Sequence, residues 1–166
     1  METTLENYQL IYRRLTDSEL KELEKEFIQF LCANTVTADD WLRIKAEHVD
    51  QAHQLIDRFS DVVMEKALSD VRFLEHRQEK EVMLFHCKDD KLELIGFNVP
   101  ETFDVDLRDE ASIKNLMNDS STISSLSVFK VEKPYGKQRE LEMYEMTNNG
   151  CLVSDGALFY LLEKMI

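Results

Sequence analysis

Apolar and polar positions alternate on three consecutive segments between Val71 and Val99. A period of two residues is the spacing of side chains on one face of a β-strand. The pattern therefore predicts strands over about 71–77, 81–88 and 91–99. Polar residues at 78–80 and 88–91 suit the two hairpin loops of an antiparallel meander.

Both faces of this predicted meander are apolar. One face is expected to carry Phe73, Met83, Phe85, Cys87, Leu92 and Leu94, and the other Leu74, Val82, Leu84, Ile95 and Phe97. A sheet with one solvated face alternates cleanly between apolar and polar residues. A sheet that is apolar on both faces must be covered twice, so we expect helices against each face.

Helical periodicity precedes the meander. Thr16 and Glu19 form the sequence signature of a capping box, and an apolar stripe from Leu20 to Leu31 follows it at helical spacing. Thr37 predicts a second N-cap, and a third helix is expected from about Asp50 to Ser69. The sequence leaves open whether the second and third helices are separate, because no Gly or Pro stands between them.

The segment after Pro100 predicts a short helix over about 109–118 and a fourth strand over about 126–131. Residues 138–150 fit either a helix that ends at Gly150 or a hairpin at Asn149-Gly150, and we favour the helix. A final amphipathic helix is expected after Ser154 or Asp155. The predicted fold is α+β: one domain, 1–166, with a meander of three to four antiparallel strands covered by an N-terminal three-helix segment and C-terminal helices.

The charge balance narrows the range of partners. The chain has 20 basic and 33 acidic residues and a net charge of −13, which repels a phosphate backbone unless basic residues cluster. The longest purely basic run is Arg13-Arg14, so we expect neither nucleic acid nor an anionic membrane as partner. The start of the chain lacks the features of a secretory signal, and no apolar run is long enough to cross a bilayer. Three widely spaced cysteines fit reduced thiols in the cytosol, and the oligomeric state is left open.

One group of residues has the spacing of a metal site. His53, Asp57 and Asp61 follow one another at intervals of four on the third predicted helix, which could present two or three ligands to a divalent ion. They are expected on the solvated side of that helix, where an isolated face has no concavity to exclude water. A solvated polar face is therefore the favoured interpretation, and no metal or cofactor is predicted.

A second group lies on the meander. The predicted register places His86 between Arg72 and Glu93 on neighbouring strands, with His76 on the same face. A carboxylate beside His86 would raise the pKa of the imidazole and prepare it as a general base, and an arginine could hold an anionic substrate. The alternative is a structural row of polar side chains at the edge of the core. We favour the structural row because no nucleophile or phosphate loop accompanies it.

Several short segments together resemble a known family. They include Tyr12-Arg-Arg-Leu-Thr16, Glu26-Phe-Ile-Gln-Phe-Leu31, Thr37-Ala-Asp-Asp-Trp41, Phe59-Ser-Asp61, Leu74-Glu-His76, Leu84-Phe-His86 and Glu163-Lys-Met-Ile166. The chain is similar over nearly its whole length to a family of short uncharacterised bacterial proteins, a domain of unknown function. The resemblance implies a self-contained cytosolic protein and brings no activity, cofactor or partner with it.

Two classes of function remain. The first is a non-enzymatic adaptor or regulatory domain that binds another protein, a basic one in particular, because the chain is acidic and carries no catalytic motif. The alternative is a small enzyme or ligand-binding domain that uses Arg72, His86 and Glu93 in a cleft between the sheet and the helices.

Overall fold

The computed structural model describes residues 7–166, which form an α+β fold. Its helices and strands are, in chain order, α1 (Asp17–Glu22), α2 (Glu24–Ala33), α3 (Ala38–Glu47), α4 (Val49–Ser69), β1 (Phe73–Arg77), β2 (Glu81–Cys87), β3 (Lys91–Asn98), α5 (Glu110–Asn118), α6 (Ser120–Ile123), β4 (Ser127–Pro134), α7 (Arg139–Asn148), β5 (Leu152–Ser154) and α8 (Ala157–Glu163). The predicted fold class is confirmed, with helices both before and after the strands.

The chain divides into two compact units, one that ends at Leu68 and one that covers Ser69–Ile166. We call them the helical unit and the sheet unit. The single-domain organisation and the cover by the N-terminal helices stay predictions. No helix in residues 7–166 has the length and apolar content that a bilayer crossing requires.

The helical unit begins with the two predicted caps. Thr16 and Thr37 each accept a hydrogen bond from the backbone three residues on and close a capping box. Phe27 is the centre of the core, with the rings of Trp41 and Phe59 at 5.1 and 5.0 Å between centroids. The second and third predicted helices are separate, because His48 caps the end of α3.

The sheet unit is built on five antiparallel strands in the order β4-β3-β2-β1-β5. One face packs against α5 and α8, and we call it the α5/α8 face. Its core residues are Phe73, Val82, Leu84, Ile95, Phe97, Ile113, Leu116, Phe159 and Leu162. The opposite face, which shares a groove with α7, is the α7 face and carries Met83, Phe85 and Leu94.

The predicted faces are right for β2 and β3 and wrong for β1. The structure pairs Phe73 with His86 and Leu74 with Phe85, so Phe73 lies on the α5/α8 face and Leu74 on the α7 face. The cause is the first hairpin. The N–H of Gln78 donates to the carbonyl of Glu81, which leaves a two-residue loop where three residues were expected. One residue fewer in the loop shifts the register by one and inverts every side chain of β1.

The C-terminal part resolves the open alternative. Residues Arg139–Asn148 form α7, the favoured helix, and the buried Arg139 holds it to the sheet by donating to the carbonyls of Cys87 and Lys88 at 3.0 and 3.2 Å. The fourth strand is confirmed as β4. The short strand β5 and the one-turn helix α6 were not predicted.

Candidate functional site

His86 and Glu93 face each other across β2 and β3, as predicted. The Nδ1 of His86 lies 3.6 Å from the Oε2 of Glu93, and the Nζ of Lys88 binds the other carboxylate oxygen at 2.6 Å. Burial pushes the pKa of Glu93 upward, but the hydrogen bond and charge of Lys88 outweigh it and hold that pKa below its ordinary value. Glu93 is therefore an ionised carboxylate that already has a cation.

Aromatic rings surround His86. Its imidazole stacks on Phe73 at 4.4 Å between centroids, with Phe159 and Tyr160 edge-on at 5.5 and 6.2 Å. Burial among these rings lowers the pKa of His86, and the opposing effect of Glu93 is smaller. The expected raised pKa is therefore wrong. Burial therefore favours the neutral form of His86, which lines none of the grooves described below.

The other two members of the predicted cluster lie elsewhere. Because the register of β1 is shifted by one, Phe73 stands opposite His86 where Arg72 was expected. Arg72 is exposed and pairs with Asp89 at 2.9 Å. His76 pairs with Met83 and so lies on the α7 face, the opposite side of the sheet from His86. The structure places His86 beside Glu93, and it places Arg72 and His76 away from both.

The candidate metal ligands in the helical unit have other contacts. Asp61, expected on the solvated side of its helix, is 4 % exposed. Its carboxylate accepts hydrogen bonds from the Tyr8 hydroxyl at 2.6 Å and from the backbone N–H of Ile11 and Tyr12 at 2.9 and 3.0 Å. Asp57 binds Arg14, and His53 is exposed. Within residues 7–166 no three His, Cys, Asp or Glu side chains are grouped to hold a metal ion.

A groove of about 970 Å³ lies on the α5/α8 face of the sheet unit, and we call it the large groove. The ends of β1 and β5 form its floor, and α5 and α8 form its walls. Apolar side chains from β5, α5 and α8 line it: Leu152, Ile113, Met117, Leu158 and Leu161. Leu152 is 63 % exposed and Leu161 is 39 % exposed. Val153 borders the groove as well, but it pairs with Leu74, so its side chain lies on the α7 face.

An ion pair lies on the floor of the large groove. The Nη2 of Arg77 binds the Oε1 of Glu75 at 2.8 Å, and both side chains are largely buried. The Nε of Arg77 is buried and has no hydrogen-bond partner among the residues that the structure describes. A buried donor without an acceptor is rare, because it costs about 1–3 kcal/mol. The floor of the groove therefore covers one buried, unused donor in an otherwise neutral pair.

A smaller groove of about 370 Å³ lies on the α7 face. Met83, Phe85, Leu94 and Met146 line it, with an ion pair of Lys133 and Glu142 at 3.2 Å on its rim. Each of these polar groups has its partner, and the groove is less than half the volume of the large groove. The large groove is thus the stronger candidate for binding.

Sequence reasoning missed the large groove because it depends on β5. A strand of three residues gives no periodic signal, and pairing of β5 with β1 is what brings Leu152 beside Glu75. The signal available was the apolar pair Leu152-Val153 between Gly150 and Gly156, which suggests a short strand bounded by turns.

Comparison with known proteins identifies the family and no more. No curated protein and no solved structure matches this sequence. The profile of a family of unknown function, DUF6495, matches residues 10–166, nearly the whole chain, as the resemblance implied. The chain therefore belongs to this family of unknown function.

Proposed function

We propose that the chain is a non-enzymatic protein-interaction domain that binds an apolar segment of another protein in the large groove. The observation that supports this most directly is the exposure of Leu152 and Leu161 along one groove. Contiguous exposed aliphatic side chains beside a concavity are typical of surfaces that a partner covers.

The floor of the groove indicates which charge such a segment can carry. Because Glu75 already neutralises Arg77, a full negative charge on the ligand would compete with that ion pair. The spare Nε–H of Arg77 is itself buried, so a ligand in the groove does not reach it. The proposed segment is therefore neutral where it crosses the ion pair.

The charge of the protein favours a basic partner. The net charge is −13, whereas the rim of the groove carries Arg108 and Lys114 beside Glu110 and Asp155 and is balanced. Basic residues that flank the apolar segment would therefore be attracted to the acidic protein as a whole and not to the rim alone. Such attraction is screened beyond about 8 Å at physiological ionic strength, so binding should weaken with salt.

The proposed location is the cytoplasm. Cys32, Cys87 and Cys151 are all free thiols, which fits a reducing compartment. The bacterial origin that the family resemblance implies stays a prediction.

The enzymatic alternative has less support. It requires an anion-binding arginine beside His86, and Arg72 binds Asp89 at 2.9 Å on the surface. His86 retains a carboxylate neighbour, but aromatic rings cover it. A structural polar row accounts for both observations.

The test uses a peptide display library selected against the wild-type chain. We expect enriched peptides with aliphatic residues flanked by Lys or Arg, which bind less tightly as salt rises. Bound peptide should slow hydrogen exchange in β5 and α8. Leu152→Asp should weaken binding at least tenfold, while Ile28→Asp, a matched change at a residue 52 % exposed on α2, should not.

Two results would count against the proposal. One is selection of peptides whose binding is unchanged by Leu152→Asp. The other is exchange protection that falls outside the groove, for instance on the α7 face.

A further inference from the structure

Strand β4 is a long open edge of the sheet. It has eight residues and pairs with β3 on one side, and within residues 7–166 no strand pairs with its other side. Phe129 and Val131 are 39 and 47 % exposed, and every residue of β4 except Val128 is exposed. Edges of this length attract further strands, so natural proteins usually shorten or cover them.

The ladder fixes which backbone groups of β4 point outward. The N–H of Lys88 donates to Lys91 and that of Val99 to Lys80, so the odd-numbered residues of β3 bond to β2. The even-numbered residues of β3 then form their hydrogen bonds with β4. Their partners in β4 are Ser127, Phe129, Val131 and Lys133. The N–H and C=O groups of Val128, Lys130 and Glu132 consequently face away from the sheet.

The side chains at this edge are complementary to themselves. Along β4 a cation, an apolar residue and an anion follow one another: Lys130, Val131 and Glu132. An antiparallel copy of the strand presents the same three side chains in the opposite order, so each cation can face an anion. We propose that two copies of this chain pair through β4 in antiparallel orientation about a two-fold axis at Val131. Each Lys130 then lies opposite Glu132 of the second copy, and the two Val131 side chains meet on the α7 face.

The neighbouring registers fit less well. A two-fold axis at Lys130 would place the two lysines directly opposite each other, which destabilises a strand pair. An axis at Phe129 would place each Lys130 opposite Val128 and leave both Glu132 side chains without a cation across the pair. Only the axis at Val131, among these three, gives two ion pairs.

The rest of the edge is compatible with this pairing. In this register Val128 lies opposite Pro134 of the second copy. The N–H of Val128 can donate to the carbonyl of Pro134, but Pro134 has no N–H to return the bond, so the ladder ends there. On the α5/α8 face, α8 packs over β2 and β3, and its C-terminal end lies beside β4. Lys130 and Glu132 now bind Glu163 and Lys91 at 3.1 and 3.0 Å, and these exposed pairs can each accommodate a further partner. Because edge pairing buries little surface, the dimer should be weak.

Charge exchange tests the register. In sedimentation equilibrium over a range of protein concentrations, Lys130→Glu and Glu132→Lys should each raise the dimer dissociation constant at least tenfold, because like charges then face each other. The double variant Lys130→Glu/Glu132→Lys should restore the wild-type constant. The double variant also turns both ion pairs within the chain, those with Glu163 and Lys91, into pairs of like charge. A loss of folding stability would therefore persist in the double variant and cannot produce that recovery.

Lys137→Glu is the matched control, since Lys137 is an exposed lysine that pairs with Glu145 outside β4. It should leave the dimer unchanged. A wild-type chain that stays monomeric at the highest soluble concentration would overturn the proposal. So would a double variant no stronger in association than the single variants.

A cross-link gives a second measurement. In a Cys32→Ser background, Val131→Cys should form a disulfide between two copies, because residues at the axis lie about 4.5 Å apart between Cα atoms. Phe129→Cys should not, since its two copies would be separated by about four residues of strand, roughly 14 Å. Faster cross-linking of Phe129→Cys than of Val131→Cys would overturn the register.

Discussion

Gly156 joins β5 to α8 at the end of the large groove, and it offers a sharp test of the packing beneath. Its φ angle is +81°, a left-handed conformation that glycine adopts without strain. A Cβ at this position would lie 2.6 Å from two ring carbons of Phe73. Phe73 is 7 % exposed and has no free space to withdraw, because it packs against His86 and Phe159.

These contacts set the magnitude for Gly156→Ala. The left-handed conformation costs about 1–2 kcal/mol for a residue with a Cβ. Displacing a buried ring in a packed core adds about 1–3 kcal/mol. Reduced freedom of the unfolded chain returns about 0.4–1 kcal/mol. We expect a net loss of about 2–4 kcal/mol in the free energy of unfolding.

Urea unfolding measures this loss as a lower midpoint at unchanged slope. Gly136→Ala is the control, because a Cβ there meets nothing within 4 Å, and its unfolding free energy should stay within about 1 kcal/mol of wild type. Phe73→Leu should reduce the cost of Gly156→Ala, since it removes the ring that the new methyl group strikes. Equal midpoints for the two glycine variants, or a cost unaffected by Phe73→Leu, would refute the reasoning.

Three further outcomes are expected from urea unfolding of the variants. Burial lowers the pKa of His86 in the folded chain, so the free energy of unfolding is highest above pH 6.5 and falls as the pH drops toward the folded pKa. His86→Gln should flatten that decline, because glutamine does not titrate. Leu84→Ala should cost about 2–5 kcal/mol because Leu84 is 2 % exposed. Phe85 is half-buried, so Phe85→Ala should cost about 1–2 kcal/mol, less than the roughly 3–5 kcal/mol expected of a fully buried phenylalanine. Asp61→Asn should cost about 2–4 kcal/mol, because it replaces one of two acceptor oxygens by an NH₂ group that faces another donor. Asp57→Asn should cost less than about 1 kcal/mol, and equal effects of the two would contradict the structural role of Asp61.

The sequence predicts the fold class and most helices because their signals are local. The capping boxes at Thr16 and Thr37 act within four residues, and each begins a helix where expected. The pairing of β2 with β3 was also predictable, since the loop at Asp89-Asp90 has few alternatives. Local chemistry decides these features, so no knowledge of distant contacts is needed.

The register of β1 was not predictable in this way. Phe73 and Leu74 are both apolar, so either could face either side of a sheet whose two faces are apolar. Loop length was then the remaining signal, and an error of one residue there moved Arg72 into the place of Phe73. The predicted catalytic cluster depended on that register. A site prediction that combines residues from neighbouring strands is therefore only as accurate as the predicted length of the loop that joins those strands.

The two proposed surfaces of the sheet unit are compatible with each other because they lie at opposite edges of one sheet. The large groove is beside β5, and the proposed dimer edge is β4, with β3, β2 and β1 between them. Pairing of two β4 strands would give a continuous ten-stranded sheet with a groove at each end. A partner with two apolar segments could then occupy both grooves, and its overall affinity would exceed that of either site. Lys130→Glu should accordingly weaken binding of a two-segment peptide and leave binding of a single segment unchanged. Equal loss for both peptides in a binding titration would show that β4 and the groove are not independent.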